Sequence, residues 1–308
     1  MCDKIVVEIL NSKFIIFEIT KMIYLKETFK YLKRSFLPLL VVAIIPAVLL
    51  GLFTSPFTFI SFLPLYYGTV DGTSFNSIFD MLMFPNYINL VFPYIILILF
   101  LILFLSYGLG TVEKHFKTGK RGFTRPLRAM NNSALPILKT VPIMLVALML
   151  TVLIQTAIIT LIRHSISGLS NAPLPIDSIL VTTVSAVSFG LVLMASIFAG
   201  VWAVIIQIYG YSFKEAFIET IRAVRKKWGS LFLGLLIPIT LLVSAQVIYN
   251  SFLVFEDVTW ESWLAGFVSV MINLFILIYY MAYIPVSVYH MNNLERRDNQ
   301  PPYLRGFR

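Results

Sequence analysis

The side chains best suited to chemistry at neutral pH are three histidines, one cysteine and fifteen acids, spread through 308 residues. Catalysis needs such groups held together in a site that tunes them. His115, His164 and His290 fall in three separate parts of the chain. None has a carboxylate three or four residues on, and there is no HExxH and no second cysteine. A metal site is therefore not expected. A glycine-rich phosphate loop is missing too, so neither catalytic residues nor a cofactor is expected. Cys2 rules out a disulfide framework, and no apolar signal segment precedes it as a lipoprotein anchor would require.

The elements that would have to position any site explain this shortage. The chain is 58% hydrophobic and 13% charged, with a mean hydropathy of +0.86. Soluble domains carry roughly a quarter charged residues, because something must face water. Uncharged stretches separate Arg34 from Asp71, Asp80 from Glu113, Asp177 from Lys214, Lys227 from Glu256 and Glu261 from Glu295; another runs from Thr140 to Ile162. Each can hold a helix of about 20 residues, the length that crosses ~30 Å of hydrocarbon. Only helices and closed barrels satisfy their backbone in lipid. A run such as YIILILFLILFL (94–105) lacks the alternation of a barrel strand. Six spans are expected near 36–54, 88–111, 138–162, 179–208, 230–253 and 264–289.

Charge sets their direction. The intervening segments 55–87, 163–178 and 254–263 hold Asp71, Asp80, Asp177, Glu256, Asp257 and Glu261, but one basic residue, Arg163. The other 23 of the 24 Lys and Arg lie before the first span, in 112–139, in 209–227 and after 290. Basic flanks stay on the cytoplasmic side during insertion. Both termini are therefore expected in the cytoplasm, with the chain in the cell membrane. The net charge of +9 is then a topology signal that also suits anionic lipid headgroups, and nucleic acid is not needed to explain it. On this scheme His115 lies in an inner loop, His164 at an outer helix end and His290 at an inner one, all as interfacial residues. Glu256, Asp257 and Glu261, with Trp260 and Trp263, form an outer rim with aromatic anchors.

Pro46, Pro142 and Pro238 stand 96 residues apart. Placing 23–50 over 215–242 without a gap puts Glu27–Thr28 on Glu219–Thr220, Lys30 on Arg222, Lys33–Arg34 on Arg225–Lys226, Phe36 on Trp228 and Ile45–Pro46 on Ile237–Pro238. Leu25, Phe29, Leu32 and Phe36 fall on Phe217, Ile221, Val224 and Trp228, the spacing of one helix face. The middle copy fits with a slip of about two residues through Phe123, Leu127, Met130 and Ala134. It carries Lys120, Arg121, Arg125 and Arg128, and Pro126 should shorten or kink it. The fold expected is an all-α polytopic membrane protein of three parallel repeats, about 22–118, 119–210 and 211–290. Each repeat is an amphipathic interfacial helix plus a transmembrane hairpin. Parallel repeats relate by an axis along the membrane normal, so the basic helices would ring the cytoplasmic face. Residues 1–21 fit a hairpin turning at Asn11–Ser12 or an amphipathic helix, and a natural start at Met22 is a third reading. Residues 291–308 read as a polar cytoplasmic tail.

Residues 25–36 (LKETFKYLKRSF) with 37–54, then 132–155, then 213–238 (FKEAFIETIRAVRKKWGSLFLGLLIP) carry a resemblance. Over most of 22–290 the organisation resembles the YciC-like family of six-span membrane proteins. It is also similar to the membrane domain found ahead of some glycerophosphoryl diester phosphodiesterases. The latter implies a role near lipids only where a catalytic domain follows; here MNNLERRDNQPPYLRGFR reads as a tail. The six-span resemblance implies a fold and little about activity.

Within the spans no Asp, Glu or Arg is expected, which disfavours proton-coupled transport and intramembrane proteolysis. Gln155, Gln207, Gln246, Asn250, Asn273, Thr151, Thr156, Thr182, Thr183 and Ser244 read as interhelical hydrogen-bonding groups, worth ~0.6–2 kcal/mol a pair, ahead of a substrate path. Ser185, Ala186, Gly190, Ala195, Ser196, Ala199 and Gly200 would let the fourth span approach its neighbours closely. Pro46, Pro142, Pro238, Gly190 and Gly200 are thus candidate packing positions. Lys30, Lys33, Arg34, Arg125, Arg128, Arg222, Arg225 and Lys226 are the candidate contacts to anionic headgroups on the cytoplasmic side. The function expected is that of a non-enzymatic membrane protein acting on or with lipids, or beside another membrane or cytoplasmic protein. The alternative is a permease subunit of a transporter, suggested by KEAF at Lys214–Phe217 although its spacing fits poorly.

Overall fold

The computed structural model describes residues 23–53, 91–120, 122–167, 174–252 and 260–299. Among them are seven α-helices and one short 3-10 turn, and no strand. The helices are α1 (Ile23–Phe53), α2 (Val91–Thr118), α3 (Pro126–Met130), α4 (Ala134–Ser167), α5 (Leu174–Tyr209), α6 (Phe213–Phe252) and α7 (Trp260–Met291); the turn is Arg297–Asn299. Five stretches are long and apolar enough to cross a membrane: Ile23–Leu50, Ile98–Thr118, Ala134–Leu161, Ala186–Tyr209 and Gly266–Met291. That is the architecture of an all-helical, multi-pass membrane protein. The remaining expected span, 230–253, coincides with the second part of α6, which is helical to Phe252 but is not one of the five. Residues 1–21 and the segment 55–87 lie outside the described residues.

Several boundaries differ from the sequence expectation. α2 ends at Thr118 rather than near 111, so Glu113 and His115 stand on a helix and not in a loop. The extension is supported by Lys117 pairing with Glu113 one turn back. Trp260, Glu261 and Trp263 open α7 instead of lying in a loop. The basic segments of α1 and α6 run into the apolar ones without a loop, through a single non-helical residue: Ser35 (φ −131°, ψ 20°) and Lys227 (φ −127°, ψ 15°). Between the corresponding segments α3 and α4 the chain makes a turn at 131–133. Pro126 starts α3, where its missing N–H costs nothing, and the helix lasts five residues.

Helix contacts follow a closed circuit: α1 on α2, α2 on α4, α4 on α5, α5 on α6, α6 on α7, and α7 back along α1. α7 also touches α2 and α5, and α1 touches α6 directly past it, so α7 lies toward the inside of the circuit. Every residue from Met281 to Tyr289 is buried. One face of α7 (Tyr279, Tyr283, Ile284, Val288) enters an apolar cluster with α5 and α6; the other (Ile278, Met281, Ala282, Val286) enters a second cluster with α1 and α2. A helix apolar on all sides belongs at the centre of a bundle. Since lipid tails are as apolar as leucine, close packing rather than expulsion of water holds such helices together.

Candidate functional site

The eight candidate cations lie on α1, α6 and the segment around α3. Contacts bring these segments to one end of the bundle. Tyr31 of α1 hydrogen-bonds His115 of α2 (2.7 Å), the α2 residue Thr111 bonds Thr124 (2.7 Å), and the Trp202 indole donates to the Phe213 carbonyl at the start of α6 (3.2 Å).

On α1, Tyr24, Thr28, Tyr31 and Ser35 are buried, a spacing of four, three and four. On α6, Ala216, Thr220 and Val224 are buried, and Thr28 and Thr220 each donate to the carbonyl four residues back at 2.7 Å. The stripe named from the sequence is the neighbouring one. Phe29 is 52% exposed, Phe36, Phe217 and Ile221 are exposed, and Leu25 and Leu32 are half-buried. Each segment therefore has a bundle face, an outward apolar face and a cationic face. In the middle segment Phe123 and Leu127 are 62% and 84% exposed, and Thr124 is the buried residue.

All eight cations are exposed. Lys30 pairs with Glu27 at 3.7 Å and Arg222 pairs with Glu219. Lys33, Arg34, Arg125, Arg128, Arg225 and Lys226 form no salt bridge among the described residues. Such i,i+3 surface pairs are worth only a few tenths of a kcal/mol. The positive charge thus remains largely uncompensated.

Beneath the cations lies a buried polar layer that the sequence did not indicate. His115 is fully buried, a correction to its expected interfacial position. Its Nε2 lies 2.9 Å from the Gly122 carbonyl, which only accepts, so Nε2 carries a hydrogen, and in the neutral ring Nδ1 accepts from the Tyr31 hydroxyl. Gln207 donates to Glu113, which links α5 to α2 and realises the interhelical bonding expected of that glutamine. The tail folds back over this layer. Arg296 holds Asp298 through two hydrogen bonds (3.2 and 3.1 Å), approaches Glu27 (3.7 Å) and stacks over Phe116, 4.3 Å from the ring centroid. Asp298 is fully buried. Part of the expected solvated tail is therefore structural.

Deeper in the bundle, Gln155, Thr156 and Asn273 are buried, and the Asn273 amide donates to the Ser269 carbonyl in its own helix (3.0 Å). Thr151 likewise bonds back to Ala147 (2.8 Å), and Ser244 is exposed. The side chains of Thr182, Gln246 and Asn250 lie outside the described residues. A side chain at Gly200 would overlap the Tyr280 hydroxyl, whereas one at Gly190 would meet only Phe232 at 3.9 Å, an ordinary contact. Pro46, Pro142 and Pro238 lie inside α1, α4 and α6. Among the described residues no group of three or more His, Cys, Asp and Glu could hold a metal ion.

No family model, curated protein or solved structure matches this chain.

Proposed function

We propose that the chain is a six-span cell-membrane protein whose basic end faces the cytoplasm and engages anionic lipid headgroups, without catalysing a reaction. The observation that carries this reading is on α1 and α6: uncompensated cations and large exposed apolar side chains share the same turns, Phe29 and Phe36 with Lys33 and Arg34, and Phe217 and Ile221 with Arg225 and Lys226. In water such aromatic and aliphatic exposure is unfavourable; at a headgroup boundary both classes are satisfied.

The triple repeat supports it. The kinks at Ser35 and Lys227 are 192 residues apart, the interval that superimposes the two sequences, and the turn at 131–133 begins midway. Thr28, Thr124 and Thr220, 96 residues apart, are all buried, so the middle copy aligns there without a slip. In the contact circuit the second helix of each copy packs on the first helix of the next, and the third copy closes on the first. This is the connectivity expected of three parallel units around an axis along the membrane normal. We propose the likeness to the YciC-like six-span proteins on the same ground.

The test is lipid retention. Purified full-length protein should carry phosphatidylglycerol or another anionic phospholipid in excess over its share of the membrane. Replacing Arg34, Arg128, Arg225 and Lys226 by glutamine should remove most of that excess. Equal retention by wild type and variant would refute the reading.

The permease alternative draws less support. In KEAF, Glu215 bonds Ser212 at the start of α6, and the Phe217 ring packs edge-on to Phe198 and Trp202 (5.4 and 4.9 Å), so both side chains are engaged within the chain. Co-purification of an ATPase would revive it.

A further inference from the structure

An open groove of about 500 Å³ runs along the outside of the bundle between α1, α6 and α7. Its walls are apolar, formed chiefly by Phe29, Phe36, Pro238, Leu241 and Phe275, and Lys33 is the single charged residue that lines it. The ring contacts Phe29–Tyr279 (5.8 Å) and Phe36–Phe275 (6.3 Å) floor it along its length. Lys33 belongs to the cationic segment before the Ser35 kink, whereas Phe36, Leu241 and Phe275 lie on the membrane side of the kinks. The groove is therefore hydrocarbon except at one cation, Lys33, from which Phe36, Leu241 and Phe275 extend on the membrane side.

We infer that this groove binds one anionic glycerophospholipid, with its phosphate on Lys33 and an acyl chain along Phe36, Leu241 and Phe275. This rests on the lipid reading above and names one site within it. The volume lies in the ~300–1,000 Å³ range of small-molecule sites. The charge pattern selects the occupant. An extended peptide would bring backbone groups to walls that offer no partner, and a helix ~10–12 Å across would fill this volume within about one turn, whereas an acyl chain fits it and makes no such demand. A zwitterionic headgroup brings its own ammonium beside its phosphate, so only a net anion compensates Lys33 in full, and no acid lines the groove to compete for it. Leu241 is 67% exposed, which leaves the groove open sideways to the bilayer.

The experiment is native mass spectrometry of the full chain released from vesicles of equimolar phosphatidylglycerol and phosphatidylcholine. Wild type should retain one phosphatidylglycerol. Lys33→Gln should retain one lipid with its preference for phosphatidylglycerol reduced about fivefold, and Lys33→Arg should restore it. Leu241→Trp, which fills the groove from an exposed position, should lose the lipid at unchanged melting temperature. If Leu241→Trp and Lys33→Gln both keep the wild-type lipid number and preference, the groove is not the site, while the lipid reading stands. If wild type retains no phospholipid, both fall.

Discussion

The Tyr279 hydroxyl donates to the carbonyl of Gly234 at 2.5 Å. Gly234 is four residues before Pro238, whose ring nitrogen has no hydrogen to give, so in α6 this carbonyl has lost its helical partner. α7 supplies the replacement from outside. The same helix donates from Tyr283 to Leu231 (2.8 Å) and from Tyr280 to Ser196 on α5 (2.7 Å), so three phenols tie the central helix to its neighbours' backbones.

Tyr279→Phe should therefore destabilise the bundle by about 0.6–1.7 kcal/mol, the range for hydrogen bonds between membrane helices. Pro238→Ala returns the N–H to the carbonyl. The phenol then becomes dispensable, and the cost of Tyr279→Phe should fall toward zero in the Pro238→Ala background. A double-mutant cycle on thermal unfolding in detergent measures this coupling. Additive effects would contradict it.

Arg296 and Asp298 form a clasp that closes the polar layer. Arg296→Ala removes a bidentate cation from a fully buried carboxylate and should cost up to about 3–5 kcal/mol, whereas replacing both residues by apolar ones should cost less. Limited proteolysis after residue 290 reads the outcome. Cleavage should accelerate strongly in Arg296→Ala and weakly in the double variant.

Two glycines should respond oppositely to alanine. At Gly110 a Cβ would overlap the backbone carbonyl of Ala129, which cannot swing aside, so Gly110→Ala should loosen α3 from α2 and lower the melting temperature. At Gly229 nothing lies within 4 Å of the added carbon. Gly229→Ala sits inside a helix and should stabilise by up to ~1 kcal/mol.

Ser212 and Glu215 close the start of α6 reciprocally: the Ser212 amide and hydroxyl donate to the carboxylate (3.0 and 2.7 Å), and the Glu215 amide donates to the hydroxyl (3.4 Å). The side-chain bond to Ser212, then the backbone one, hold the Glu215 carboxyl below its usual value, even though it is exposed. A depressed folded-state value means that the stabilisation is present above the unfolded-chain value and is lost as pH falls through the folded one. The protection factors of the 213–216 amides should fall on acidification in wild type. In Glu215→Ala they should already be low at neutral pH and no longer respond to acid.

The helices were legible because absent charge over twenty residues has few physical explanations. The kinks at Ser35 and Lys227 have nearly the same backbone angles and fall on positions that the ungapped repeat pairs. The polar layer was not legible. Tyr31 and His115 are 84 residues apart, and a histidine next to lysines reads as surface until α2 is seen to continue past it. The tail misled for the same reason: LERRD resembles a solvated run, and only the ring of Phe116 and the burial of Asp298 reveal the clasp. The apolar stripe of α1 was assigned one residue away from the bundle face because Thr28 and Ser35 look polar. Thr28 satisfies its hydroxyl on its own helix and can therefore be buried.

On the proposed topology three basic segments share one cytoplasmic boundary. Replacing Cys2, the sole cysteine, by serine permits single cysteines at Lys30, Arg128 and Arg225, one per proposed copy, and at Asp257, which that topology puts on the other side. In intact cells an impermeant maleimide should label only the Asp257 position, and the three basic positions should react only after the membrane is opened. Labelling of any of those three from outside, or protection of the position at 257, would overturn that topology.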